Sequence, residues 1–131
     1  MRYFLVNKLI RDKILDSMIK GGQEPQDIIK LNKRQFISEL IKKLVEEINE
    51  FKLAKDKESI ADEISDTEEA LFYLKKELKI SDSYIKKLRK QKKDKAGVFD
   101  KKIFIKSVGI PENNKWFRYY MNNPDKYPEI K

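Results

Sequence analysis

The chain has 131 residues, a formal charge of +8, and neither histidine nor cysteine. Those absences exclude the usual zinc ligands, a histidine-bearing di-iron site, a Ser–His pair and a thiol nucleophile, leaving an all-oxygen site for a hard cation such as Mg²⁺ or Mn²⁺. One domain with a modest core is expected from the length. Hydrophobic and charged residues make up 40% each and Gly and Pro are scarce, so the composition favours helix.

No apolar run approaches the roughly 18 residues that cross a membrane. Met1–Val6 is too short for a secretory signal before Asn7 and Lys8 intervene, and nothing opposes a cytoplasmic location. The positive charge attracts polyanions, nucleotides as much as nucleic acids.

In chain order, Arg11 to Lys20 carries apolar spacing at Ile10, Ile14, Met18 and Ile19 and stops at Gly21-Gly22, which predicts a helix with a glycine terminator. Pro25 to Leu31 reads as a linker, with an extended piece at Ile28-Ile29. Asn32 is the candidate cap of a long helix over 33–54. Lys55 to Lys57 turns the chain. Glu58 or Ser59 then opens a second long helix, predicted over 58–79. Because the connection is short, the two long helices are expected to lie antiparallel. Ser81 caps a further helix through Lys95, and Gly97 breaks it. Lys102–Val108 is a strand candidate, too isolated to form a sheet unless it pairs with Ile28-Ile29 or Leu5-Val6.

Two acidic clusters stand out, Glu46-Glu47-Ile48-Asn49-Glu50 and Glu63-Ile64-Ser65-Asp66. In each, two carboxylates three residues apart share one helix face. Ordinary solvated helices alternate charge sign, but each like-charge pair costs only about 0.2–0.5 kcal/mol when exposed, so repulsion alone does not decide. Position on the helix wheel is more telling. The apolar arc of the first long helix comprises Phe36, Ile37, Leu40, Ile41, Leu44, Val45, Ile48 and Phe51; Glu47 falls at its edge and Glu50 just beyond. In the second, Ile60, Ile64, Thr67, Leu71, Leu74 and Leu78 form a seam flanked by Glu63, Asp66 and Ala70. A carboxylate at the margin of a buried face is partly desolvated, which is unfavourable without a partner. A cation shared between the helices would compensate both pairs; a solvated acidic face is the competing reading.

Asn7-Lys8-Leu9-Ile10-Arg11-Asp12-Lys13-Ile14 resembles the NKLVRDKI opening of small all-α nucleoside triphosphate pyrophosphohydrolases related to MazG and phosphoribosyl-ATP pyrophosphohydrolase. The family's EExxE, spacer, ExxD pattern is matched by Glu46-Glu47-x-x-Glu50, twelve intervening residues and Glu63-x-x-Asp66. Phe99-Asp100-Lys101-Lys102-Ile103-Phe104-Ile105 is similar to the segment after the family's RGGF. The likeness spans roughly residues 7 to 108. It departs at RGGF itself, where Ala96-Gly97-Val98-Phe99 lacks the arginine and one glycine; either Lys95 substitutes or that phosphate contact is lost.

The resemblance implies an all-α, MazG-like antiparallel bundle over residues 1–108, with one or two short peripheral strands, and a C-terminal extension over 109–131. It also implies Mg²⁺-dependent hydrolysis of a nucleoside triphosphate between the α and β phosphates, with Glu47, Glu50, Glu63 and Asp66 holding the metal. Glu46, beside the ligands, is the candidate for orienting or deprotonating the attacking water, or for a second metal. Asn7, Lys8, Arg11, Lys43 and Lys95 are the candidate substrate contacts. Arg11 has the fork that grips a phosphate; Lys8 and Lys13 also suit a solvated surface, and Lys43 also suits an i,i+4 pair with Glu47. Trp116, Phe117, Tyr119, Tyr120 and Tyr127 read as cover for a core edge or subunit interface, or as a base-stacking lid.

A rival class is a helical nucleic-acid binder gripping a backbone with Lys86, Lys87, Arg89, Lys90, Lys92 and Lys93, and a third is a helical interaction module. Neither accounts for the acid spacing. A homodimer is expected, since two acidic helices seldom bury both faces alone.

Overall fold

The computed structural model describes Met1–Lys131, and every regular element in it is helical. Two compact units form, Met1–Gln91 and Lys92–Lys131.

In the first unit α1 spans Asp12–Lys20 and α2 spans Lys33–Leu53. Gly22 takes a φ of 82° just past the end of α1, and the Gln23 N–H reaches back to the Met18 carbonyl at 2.9 Å. This satisfies a carbonyl the last turn would leave orphaned. Asn32 caps α2 reciprocally: its side chain accepts from the Gln35 N–H, while Gln35 accepts from the Asn32 N–H. α3 spans Lys57–Glu77. Its cap is Asp56, which accepts from the Ser59 N–H at 2.7 Å, so the helix opens at Lys57, one or two residues ahead of the Glu58 or Ser59 expected.

α2 and α3 are the only helices of this unit that pack on one another. They run antiparallel: Phe36, near the start of α2, meets Tyr73, near the end of α3, edge to face at 6.3 Å. Glu47, further along α2, approaches Glu63 near the start of α3. Leu40 and Ala70 are the buried apolar residues, at 3% and 5% exposure.

α4 spans Asp82–Ala96 and runs through the boundary into the second unit. Ser81 caps it as expected, its hydroxyl accepting from the Tyr84 N–H. Gly97, with a φ of 84°, ends it.

In the second unit the expected strand over 102–108 does not form. An isolated extended segment leaves its backbone polar groups without a ladder, and Lys102 instead closes a turn, its N–H reaching the Phe99 carbonyl at 3.0 Å. Ile28-Ile29 and Leu5-Val6, its proposed partners, are not strands either. A short helix α5, Phe117–Met121, was not anticipated. The C-terminal aromatics pack first on each other, with Tyr120 and Tyr127 centroids 4.5 Å apart and Trp116 and Tyr119 at 6.0 Å.

Candidate metal centre

Counting round α2 from Leu40 at about 100° per residue, Glu47 lies only about 20° from the buried axis and Glu50 about 80°. The structure follows that geometry. Glu47 is 4% exposed and is the one buried charged residue, whereas Glu50 is exposed. From α3, Glu63 and Asp66 reach the same point: one carboxylate oxygen each from Glu47, Glu63 and Asp66 lie within 4.8 Å of one another. Glu50 stands outside this trio, although its charge still bears on Glu63.

Three carboxylates so close cannot all ionise freely. Glu63 takes the strain, its pKa raised to about 7, first by the hydrogen bond it shares with Glu47, then by desolvation and the charges of Glu47, Asp66 and Glu50. That bond exists only while one carboxyl holds a proton. Glu63 Oε2 is buried, and no donor from outside the acid cluster reaches it. An acceptor left unmet in this way is destabilising. A cation between the helices would meet this oxygen and dispense with the shared proton.

Basic side chains surround the trio. Arg11 donates through Nη2 to Asp66 Oδ1 at 2.9 Å, and Lys8 donates through Nζ to Glu46 Oε1 at 3.1 Å. Lys43 Nζ lies 3.5 Å from Glu46 and 3.5 Å from Glu47. Burial works against ionised Glu46, but the bond from Lys8 and the charges of Lys43 and Lys8 prevail and lower its pKa. Asn7, Lys8 and Leu9 face Glu39, Lys42, Lys43 and Glu46 across a cavity of about 50 Å³. Asn7 holds a φ of 44° there, a left-handed conformation that asparagine tolerates better than most residues.

Of the residues expected in the site, Asn7, Lys8, Arg11, Lys43, Glu46, Glu47, Glu63 and Asp66 therefore gather around one end of the α2–α3 hairpin. Lys13 makes no ion pair with the cluster, and Lys95 lies in the second unit. The sequence reading missed the engagement of Asp66 by Arg11 and of Glu46 by Lys8. These contacts join residues 55 and 38 positions apart, and no local periodicity encodes them.

Comparisons with protein-family models, with curated proteins and with solved structures find no match to this chain.

Proposed function

We propose that the chain is a Mg²⁺-dependent nucleoside triphosphate pyrophosphohydrolase that cleaves the α–β phosphate bond to release a monophosphate and pyrophosphate. The observation that carries this reading is the convergence of Glu47, Glu63 and Asp66 around a buried, unpartnered carboxylate oxygen, with Lys8, Arg11 and Lys43 beside it. Ligands on an octahedral Mg²⁺ lie about 3 to 4.2 Å apart, given Mg–O bonds of about 2.1 Å. The trio needs little adjustment to reach that spacing, and its all-oxygen donor set suits a hard cation.

In this reading Glu47, Glu63 and Asp66 would hold the metal, and Glu50, outside the trio in this structure, would add its charge to the site. Bound there, Mg²⁺ supplies charge neutralisation on the phosphate oxygens and a lowered pKa for the attacking water. Glu46 orients that water. Its lowered pKa makes it a poor proton acceptor but keeps it ionised, and Lys8 and Lys43 fix its position. Arg11 and Lys8, attached to acids of the site, are within a side chain's reach of a triphosphate, where the arginine fork grips a phosphate bidentately. Lys43 serves the same anion from α2. The likeness of the Asn7–Ile14 opening and of the acid spacing to the MazG-related enzymes supports the same assignment.

A panel of nucleoside triphosphates with Mg²⁺ or Mn²⁺, reading pyrophosphate against phosphate release, tests the proposal. Pyrophosphate with a monophosphate is expected. Phosphate alone would move the cleavage to the β–γ bond, and no product together with salt-dependent nucleic-acid binding transfers the assignment to the basic α4, which has no buried residue, as a polyanion grip.

A further inference from the structure

The second unit holds an open pocket of about 270 Å³ that the metal reading does not use, lined by Ile110, Asn114, Trp116, Tyr119 and Tyr120 among others. Its aromatic walls stand at steep angles. Trp116 and Tyr119 meet at 79° with centroids 6.0 Å apart, and Tyr119 and Tyr120 meet at 88°. Walls so angled hold a compact, convex apolar group, whereas a flat ring finds no parallel pair to lie between. The side-chain polar groups on the pocket are chiefly donors. Asn114 Oδ1 already accepts from the Trp116 backbone N–H at 2.9 Å, which leaves its Nδ2 to donate, and the Trp116 indole N–H has no partner in the chain. The unit carries ten Lys and Arg against five Asp and Glu, and every ion pair of the chain lies in the other unit. Lys115 and Arg118, beside the pocket's aromatics in sequence, are exposed and unpaired.

We propose that this pocket binds an acidic, proline-rich segment of a partner protein in the polyproline II conformation. Three features single out that occupant. The first is shape: a proline ring is compact, convex and apolar, and two residues of a polyproline II helix span about 6.2 Å, the separation of the Trp116 and Tyr119 rings. The second is hydrogen bonding. Proline has no N–H and polyproline II leaves its carbonyls unpaired, so the segment offers acceptors alone to side chains that offer donors. A nucleobase edge carries donors as well, and these would be left unmet. The third is charge. Lys115 and Arg118 suit Glu or Asp flanking the prolines, while Lys115 Nζ, 5.6 Å from the Trp116 ring centroid, already supplies the cation that a basic ligand would bring to that ring. The inference rests on the second unit alone and is independent of the metal assignment.

Trp116 is the one tryptophan of the chain and is 54% exposed, so its emission reports occupancy of the pocket directly. Titrating the full chain with a peptide of repeated Pro-Pro-Glu units should give a saturable blue shift. Peptides of Ala-Ala-Glu and of Pro-Pro-Lys units should bind at least about tenfold more weakly. Lys115→Glu with Arg118→Glu should reverse the preference between Pro-Pro-Glu and Pro-Pro-Lys, a result that no loss of folding imitates. The proposal is overturned by the absence of a saturable shift up to about 1 mM peptide, by equal binding of Ala-Ala-Glu, or by a charge preference unchanged in the double variant. Tighter binding of a single-stranded oligothymidylate than of the Pro-Pro-Glu peptide, read by the same emission, overturns it in favour of base stacking.

Discussion

The two margins of the α2–α3 hairpin are built from the same helices and meet their needs in opposite ways. On the acidic margin most charges already have partners within the chain. Arg11 and Lys8 arrive from residues preceding α1, and Lys43 reaches along α2, so that Asp66, Glu46 and Glu47 each face a cation. Glu63 alone keeps a buried oxygen that no donor reaches. On the apolar margin the chain supplies no cover for Ile41, Val45, Ile48 and Ile64, which remain about half exposed. Specific polar partners can be delivered by a few long side chains. Apolar area can be covered only by another surface.

The largest effect expected from breaking this comparison is on the acidic side. Glu47→Gln keeps the side-chain shape but removes a ligand charge, and hydrolysis should fall by at least about a hundredfold, since the charge stabilisation at stake is several kcal/mol and each 1.36 kcal/mol is tenfold. Metal-free stability should be retained or rise, because a buried charge beside Glu63 has gone. Steady-state pyrophosphate release and thermal unfolding of the same preparation measure both. Full activity in the variant rejects Glu47 as a ligand.

Between the margins, Leu40→Ala should destabilise the chain by about 2–5 kcal/mol, as for other buried leucines. Ile41→Ala, one residue on but half exposed, should cost far less, and urea unfolding of the two variants checks the difference; equal costs would remove Leu40 as the buried centre of the hairpin.

Much of this architecture was legible in the sequence because it is local. The Asn32 cap, the Gly21-Gly22 stop and the short connection near Lys55 are local signals, whereas helix periodicity placed Glu47 only at the arc's edge and the structure buries it close to the Leu40 axis. What escaped depends on tertiary placement. The Arg11–Asp66 and Lys8–Glu46 pairs join residues 55 and 38 positions apart, which no local pattern specifies. The strand over 102–108 needed a ladder partner that its own residues do not specify. Glu50 and Glu63 look equivalent in the acid pattern, but Glu63 projects near the α3 seam and Glu50 is turned toward solvent.

Proton binding gives a subtler handle on the acidic margin. Glu63 has its pKa raised from 4.5 to about 7, so between those values the folded chain holds a proton that the unfolded chain has released. Stability linked to this group is therefore fully present below pH 4.5 and lost as pH rises through about 7. The melting temperature of the metal-free protein should decline over that window. Glu47→Gln should flatten the decline, since Glu47 is the principal cause of the shift. Added Mg²⁺ should restore the loss most above pH 7, where no proton competes for the site. A metal-free melting temperature that is level across the window in the wild type would remove Glu63 from the cluster's energetics.

The smallest effect expected is also the most specific to how the acidic margin balances its own charges. Arg11 holds Asp66 at 2.9 Å in an arrangement that is 60% exposed on the arginine side, and an exposed pair of this kind is worth about 0.2–1 kcal/mol. A cation entering the trio must share Asp66 with that guanidinium. Arg11→Met removes the competitor, so Mg²⁺ affinity by titration calorimetry should rise by up to about fivefold. Lys13→Met, which removes an equal charge from the same part of the chain without touching the cluster, controls for the general field and should move the affinity less. Nucleotide affinity in saturating Mg²⁺ should move the other way in Arg11→Met, because the freed guanidinium is the group expected to grip a phosphate. If both variants raise Mg²⁺ affinity equally, Arg11 contributes only background charge, and its bond to Asp66 does not hold the site against metal.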